Sequence, residues 1–209
     1  MTTKRAISYI SALCLAIAII IIVPTKLNSS GAILRQILIP KNGQILRALF
    51  TPEDDIRQTI IAMINSEKKA IQIATYFFTD TNIANALIYA KKQNNVDISI
   101  IIDPSHVTKC PHTQVYRLYK AGIPIYVFEI KNKDGIFHHK ILAFTQNIDE
   151  KALLVTGSFN LTRTAQDANY ENMLITDNPE INQKYTDQLA YLRKKSLPLD
   201  KFIKKHHIH

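Results

Sequence analysis

The 209-residue chain has only two cysteines and five glycines, no low-complexity stretch and no internal repeat, and fewer acids (17) than bases (26 Lys and Arg). Each shortage excludes something. Cys14 and Cys110 cannot build a disulfide framework, so the fold has to rest on a hydrophobic core. Cys14 falls in an apolar leader, which leaves Cys110 as an odd thiol, either a bridge between subunits or, as expected here, a single surface or half-buried side chain. Few glycines, with 46% hydrophobic and 21% charged residues, exclude a fibrous repeat and a disordered chain. The shortage of acid leaves a net charge of +9, which points to a polyanionic partner, nucleic acid or an anionic membrane surface. The abundance of Lys, Asn and Ile along the whole chain accounts for part of that charge without any binding face. The length suits one α/β domain plus a leader.

That leader is the first feature present. Lys4 and Arg5 precede an uncharged run from Ala6 to Val23, and Pro24 stops it. This is the pattern of a Sec-type export signal, and residues 1–32 are expected to take the protein out of the cytoplasm. A buried helix of the domain would need a polar face, which the run lacks. Ser30-Gly31-Ala32 offers a cleavage site, giving a secreted protein; uncut, the run is just long enough to tether the protein to the membrane. Cleavage removes Lys4, Arg5 and Lys26 and no acid, taking the charge from +9 to +6. Residues 33–43 are expected to be a linker, 44–196 a catalytic domain, and 197–209 a basic tail. The histidines of that tail, His206, His207 and His209, are expected to be solvated rather than to hold a metal.

Helical and strand periods alternate through the domain. Ile45 to Phe50 predicts a strand, and Thr51-Pro52-Glu53-Asp54-Asp55 a helix start with Thr51 as cap, carrying Ile56, Ile60, Met63 and Ile64 on one face. Ile71 to Phe77 alternates as a strand, Thr81 opens a helix with Ile83, Leu87 and Ala90, and Val96 to Ile102 is a β-branched strand. A short helix with Val115, Leu118 and Tyr119 closes at Gly122, and a strand covers Ile125 to Phe128. Lys140–Phe144, Ala152–Thr156 and Glu171–Thr176 predict three more strands, and Ile181, Tyr185, Leu189 and Leu192 a closing helix. The pattern implies an α/β fold, a mixed, largely parallel sheet with helices on both faces.

Chemistry concentrates between Phe137 and Asn172. His138 and Lys140, two apart in a strand, share a face and can converge on one anion. Imidazole can attack phosphorus or move a proton, and the ammonium can hold a non-bridging oxygen. Gly157-Ser158-x-Asn160 adds a close backbone approach and neutral donors, and Glu171 can hold a histidine in one tautomer. His139 should turn to the opposite face and pack. His106 and His112 are expected to be solvated loop residues, and Tyr76, Phe77 and Phe78 to pack in the core.

His138-x-Lys140, Gly157-Ser158-x-Asn160-Leu161-Thr162 and Glu171-Asn172 together resemble the signature of the phospholipase D superfamily, in its short form with one motif per chain. The likeness covers about Ala48 to Leu192, including Ala74 to Asp80, and extends to a small bacterial endonuclease and to secreted phospholipases D of intracellular bacteria. It departs where the family has an Asp five residues after the Lys: here that residue is Thr145, followed by a longer loop in which Asp149 is the candidate replacement.

The resemblance implies His138, Lys140, Ser158, Asn160 and Glu171 as catalytic residues, with Lys140, Ser158 and Asn160 on the phosphate. It implies a homodimer in which two half-sites make one active site, a phosphohistidine on one His138 with the partner's as acid and base, and no metal or cofactor. The substrate is expected to be a membrane phospholipid of the phosphatidylcholine type, cleaved to phosphatidic acid and free head group, with a possible role in virulence. Nucleic acid is the alternative substrate, and an inactive phosphate-binding module the non-enzymatic one.

Overall fold

The computed structural model describes residues 27–208 apart from 42, 111 and 133. The run Ala6–Val23 and His209 lie outside the described residues. Among those described, no helix is long and apolar enough to cross a membrane.

The elements follow in chain order as α1 (Leu27–Ile37), β1 (Leu46–Phe50), α2 (Ile56–Ser66), β2 (Ala70–Thr75), α3 (Thr81–Gln93), β3 (Asp97–Ile102), α4 (Ser105–Thr108), α5 (Val115–Lys120) and β4 (Ile125–Phe128). The second half holds β5 (Lys140–Phe144), a 3₁₀ turn (Ile148–Glu150), β6 (Leu153–Gly157), α6 (Arg163–Asp167), β7 (Asn172–Thr176), α7 (Pro179–Lys194), β8 (Ser196–Pro198) and α8 (Leu199–Lys205). The strands form one sheet in the order β1-β7-β6-β5-β2-β3-β4-β8.

The mixed α/β sheet flanked by helices is as expected, but its parallel part is smaller. Only β2-β3 and β3-β4 pair in parallel; the other five pairs are antiparallel. Parallel neighbours need a crossover of a dozen or more residues, which α3 and the α4–α5 segment supply after β2 and β3. The short loop at 145–152 between β5 and β6 permits only antiparallel return.

Strand alternation sends side chains to two cores. Ile71 and Ile73 of β2, and Ile98, Ile100 and Ile102 of β3, point into the larger one with Ile56, Ile60, Met63 and Ile64 of α2 and Ile83, Leu87 and Ala90 of α3. Ala74, Ile101, Ile141 and Leu154 point to the other face, where Leu189 and Leu192 of α7 cover them. The β1 and β7 end of this second face is left open: Leu46, Phe50 and Leu174 are 61%, 53% and 37% exposed.

Three local expectations are corrected. The helix after β1 starts at Ile56 with Asp55 as cap, its side chain accepting from the Gln58 N–H at 2.9 Å. Thr51 is not the cap because its hydroxyl, buried in the fold, donates to the Asn169 carbonyl (2.7 Å) and accepts from the Glu171 N–H (2.8 Å). The segment expected as a linker carries part of α1, whose Leu34 is buried with Leu38 in the larger core, and Ser30-Gly31-Ala32 lies inside that helix. The segment expected as a tail forms β8 and α8: Leu199 and Phe202, three apart among lysines and so on one helical face, are buried in the same core.

Candidate active site

The two parallel strands β2 and β3 end on the same side of the sheet, and the antiparallel β5 begins there, with Lys140 opposite Thr75. The end of β6 and the start of β7 complete the place, with Gly157 opposite Met173. Loops at the carboxyl ends of parallel strands are where open α/β sheets bind ligands. Gly157 permits this approach: a Cβ there would lie 2.2 Å from the Asn172 carbonyl oxygen, inside any tolerable contact.

His138 stands two residues before β5, on an irregular segment, and is exposed. Its ring lies 4.8 Å from that of Tyr76. Partial burial lowers its pKa below the usual 6.5 and the Lys140 charge lowers it further, while Asp103 opposes them. Within one chain these effects favour the neutral imidazole, which keeps a lone pair for attack. Lys140 is buried and its ammonium donates to the His138 carbonyl at 3.1 Å, 5.3 Å from the centre of the Tyr76 ring. Burial lowers its pKa and the Glu171 carboxylate raises it.

Glu171 accepts from the Ser158 hydroxyl (2.5 Å) and the Asn169 amide (3.0 Å). The Ser158 oxygen in turn accepts from the Asn172 N–H (3.0 Å). Asn160 is uncommitted, its side-chain oxygen buried with no hydrogen-bond partner among the described residues, as expected of a group that meets a ligand. Within one chain Glu171 therefore binds Ser158, and its charge favours the Lys140 ammonium; the hydrogen bonds it makes do not include His138. His139 packs edge-on against Phe137 at 5.2 Å.

The sequence reading missed two members of the neighbourhood. Tyr76 was expected only to pack, yet its half-buried ring touches both His138 and Lys140. Asp103, at the end of β3, accepts from the Phe137 N–H at 2.8 Å, a contact across 34 residues that no local pattern carries. Its place at the carboxyl end of a parallel strand was the available signal. His106, expected in solvent, is fully buried: its Nε2 accepts from the Phe78 N–H (2.9 Å) and its Nδ1 donates to the Thr113 hydroxyl (3.0 Å). His112 is exposed as expected.

At the far end of β5, Asp149 is paired with Arg35 at the surface (2.8 Å). The buried acid there is Glu67, which accepts from the N–H groups of Lys69, Ala70 and Gln146 (3.0, 2.9 and 2.8 Å) and from the Asn147 amide (3.2 Å). Glu67 thus ties down the loop that follows Thr145.

A groove of about 1050 Å³ opens beside His138 toward the β4 and β8 edge. Phe128, Ile130, Ile136, Leu192 and Leu197 line it together with Glu129, Lys131, Lys194 and Lys195. Among the described residues no group of three or more His, Cys, Asp or Glu side chains is placed to hold a metal ion.

A family profile described as "Cardiolipin synthase, PLD-like domain" matches residues 60–193. A phospholipase D of Rickettsia conorii is 30% identical over 136 residues, 65% of this chain and 63% of the relative. The mitochondrial cardiolipin hydrolase of Xenopus laevis is 24% identical over 66% of this chain and 61% of its own length. The chain thus spans somewhat under two thirds of these relatives. Among solved structures, Nuc from Salmonella typhimurium, a phospholipase D family member, superposes with a TM-score of 0.64 at 25% identity, covering 74% of this chain and 97% of Nuc. NucT from Helicobacter pylori shares the fold, with a TM-score of 0.68 at 22% identity over 75% and 99% of the two chains.

Proposed function

The chain belongs to the phospholipase D superfamily, in its form with one motif per chain, and on that premise we propose that it is a phosphodiesterase working through a covalent phosphohistidine on His138. The imidazole nitrogen attacks phosphorus, the P–O bond to the leaving alcohol breaks, and a second imidazole gives that oxygen its proton. The same group then takes a proton from water, whose oxygen displaces His138 and regenerates it. Lys140, Asn160 and Ser158 hold the non-bridging oxygens as charge builds on them.

One chain provides the nucleophile but not the second imidazole. His106 is buried and spent on Phe78 and Thr113, and His139 packs against Phe137. A second copy of this chain supplies the acid, its His138, and its Glu171 is free to meet the first copy's His138 once Ser158 turns to the phosphate. The open half of the α7 face is the surface for that copy: Phe50, opposite Asn172, lies at its site end, Leu174 and Leu46 continue it away from the site, and Tyr170 is 88% exposed beside Glu171.

For the substrate we favour a membrane phospholipid, cleaved to phosphatidic acid and free head group. The observation that supports this is the groove beside His138, whose lining mixes Phe128, Ile130, Ile136, Leu192 and Leu197 with Lys131, Lys194 and Lys195 and so suits an acyl chain and an anionic head group. Nucleic acid is the second reading, favoured by the +9 charge and by the match to Nuc over nearly its whole length. Export through the leader, with secretion or tethering, belongs to the lipid reading, as does action on a host membrane. Cleavage after Ala32 would remove the N-terminal half of α1.

The test is a parallel assay in EDTA on phosphatidylcholine vesicles and on plasmid DNA, with His138→Ala as control. Choline release with intact DNA supports the lipid reading, and nicking with intact lipid replaces it by the endonuclease. Inertness of a folded dimer on both substrates would refute the enzyme and leave a phosphate-binding module.

A further inference from the structure

We infer that Asp103 is a positioning residue for the nucleophile: its carboxylate fixes the backbone of Phe137 and so aims the His138 ring, without touching substrate. This rests on the reading of His138 as nucleophile. The described residues from Glu129 to His139, the stretch that carries His138, hold no helix or strand, so no ladder sets where the imidazole points. Three pins do so instead. The Tyr76 N–H donates to the His139 carbonyl (2.9 Å), the Lys140 ammonium donates to the His138 carbonyl (3.1 Å), and the Phe137 N–H donates to Asp103 Oδ2 (2.8 Å). The third is the only one on the N-terminal side of His138.

Asp103 is itself rigidly held. It is 3% exposed, at the end of the central parallel strand β3. Its Oδ1 accepts from the Ser105 N–H (2.8 Å) and the Ser105 hydroxyl (2.5 Å), which leaves Oδ2 for Phe137. The Phe137 ring, stacked on Phe128 at 4.9 Å, sets the depth of the segment, and the carboxylate sets its register along the strand end. A nucleophile must lie in line with the scissile bond to within a fraction of an ångström, and a displacement of about 1 Å costs roughly 100-fold in rate.

A second consequence separates this role from plain support. The Asp103 charge favours the His138 imidazolium, against burial and the Lys140 charge on β5; Tyr76 presents only its ring, and Glu171 bears on Lys140 rather than on His138. Removing the charge should therefore move the His138 titration to lower pH.

The test uses the full chain and Asp103→Asn, with Asp80→Asn as control. Asp80 is an equally buried acid whose side chain caps α3 through the N–H groups of Asn82 and Ile83 and pairs with Arg57 (3.7 Å). Turnover of bis(p-nitrophenyl) phosphate is measured against pH, and the His138 ring proton is titrated by NMR. Asp103→Asn is expected to lower kcat by about 10- to 100-fold with KM within about twofold, and to shift both the acid limb and the NMR titration of His138 to lower pH. Asp80→Asn should lower Tm and leave kcat and the titration in place. The inference is overturned if Asp103→Asn keeps wild-type kcat, or if its loss follows Tm as in the control with the titration unmoved. A wild-type protein inert on the diester would refute the enzymatic reading, and the titration would then decide for or against the Asp103–His138 link by itself.

Discussion

His106 offers a pH test of the fold beside the site. The ring is fully buried and its Nε2 accepts from the Phe78 N–H, so the folded protein needs the neutral form. Burial lowers its pKa from 6.5 to about 4, with Asp103 opposing. In the unfolded chain the ring binds a proton near its usual value, so between pH 6.5 and about 4 the unfolded state holds more protons and stability falls as pH falls. The contribution is complete above the unfolded value and lost across that window, about 3 kcal/mol in all at about 1.4 kcal/mol per pH unit. His106→Gln keeps an acceptor for the Phe78 N–H and cannot titrate. Urea unfolding followed by circular dichroism at pH 7, 5.5 and 4.5 should show the wild type losing about 2–3 kcal/mol more than the variant across the range. The other histidines titrate alike in both proteins and cancel. Equal pH slopes would refute the reasoning, because His106 would then be protonated in the folded state at no cost.

Gly157→Ala should remove activity and lower stability by about 2 kcal/mol or more, since the added methyl meets the Asn172 carbonyl and must push β6 from β7 beside Ser158; thermal melts and diester turnover check both. Leu174→Asp, on the open sheet face, should leave a folded monomer without activity, measured by analytical ultracentrifugation and turnover; an active dimer would place the interface elsewhere.

The candidate site residues were legible in the sequence because their types and spacing suit one reaction. The strands were legible because β-branched runs such as Ile98–Ile102 leave few alternatives. What escaped was set by long-range contacts. Thr51 has the chemistry of a cap, and only the loop at 169–171 folding back claims its hydroxyl. The loop histidine His106 reads as solvated until Phe78 and Thr113 close over it. The parallel share of the sheet was overestimated because alternation of helix and strand does not reveal that β5, β6 and β7 return antiparallel. Leu199 and Phe202 are hidden among lysines that suggest a solvated tail.

The covalent step on His138 is tested most directly by trapping it. The protein is mixed with a short-chain phosphatidylcholine, quenched in alkali to preserve a phosphorus–nitrogen bond, digested and read by mass spectrometry. The account predicts a phosphatidyl group on the peptide that carries His138, formed during turnover and absent in His138→Ala. Steady turnover with His138 unmodified, or undiminished in His138→Ala, would contradict it.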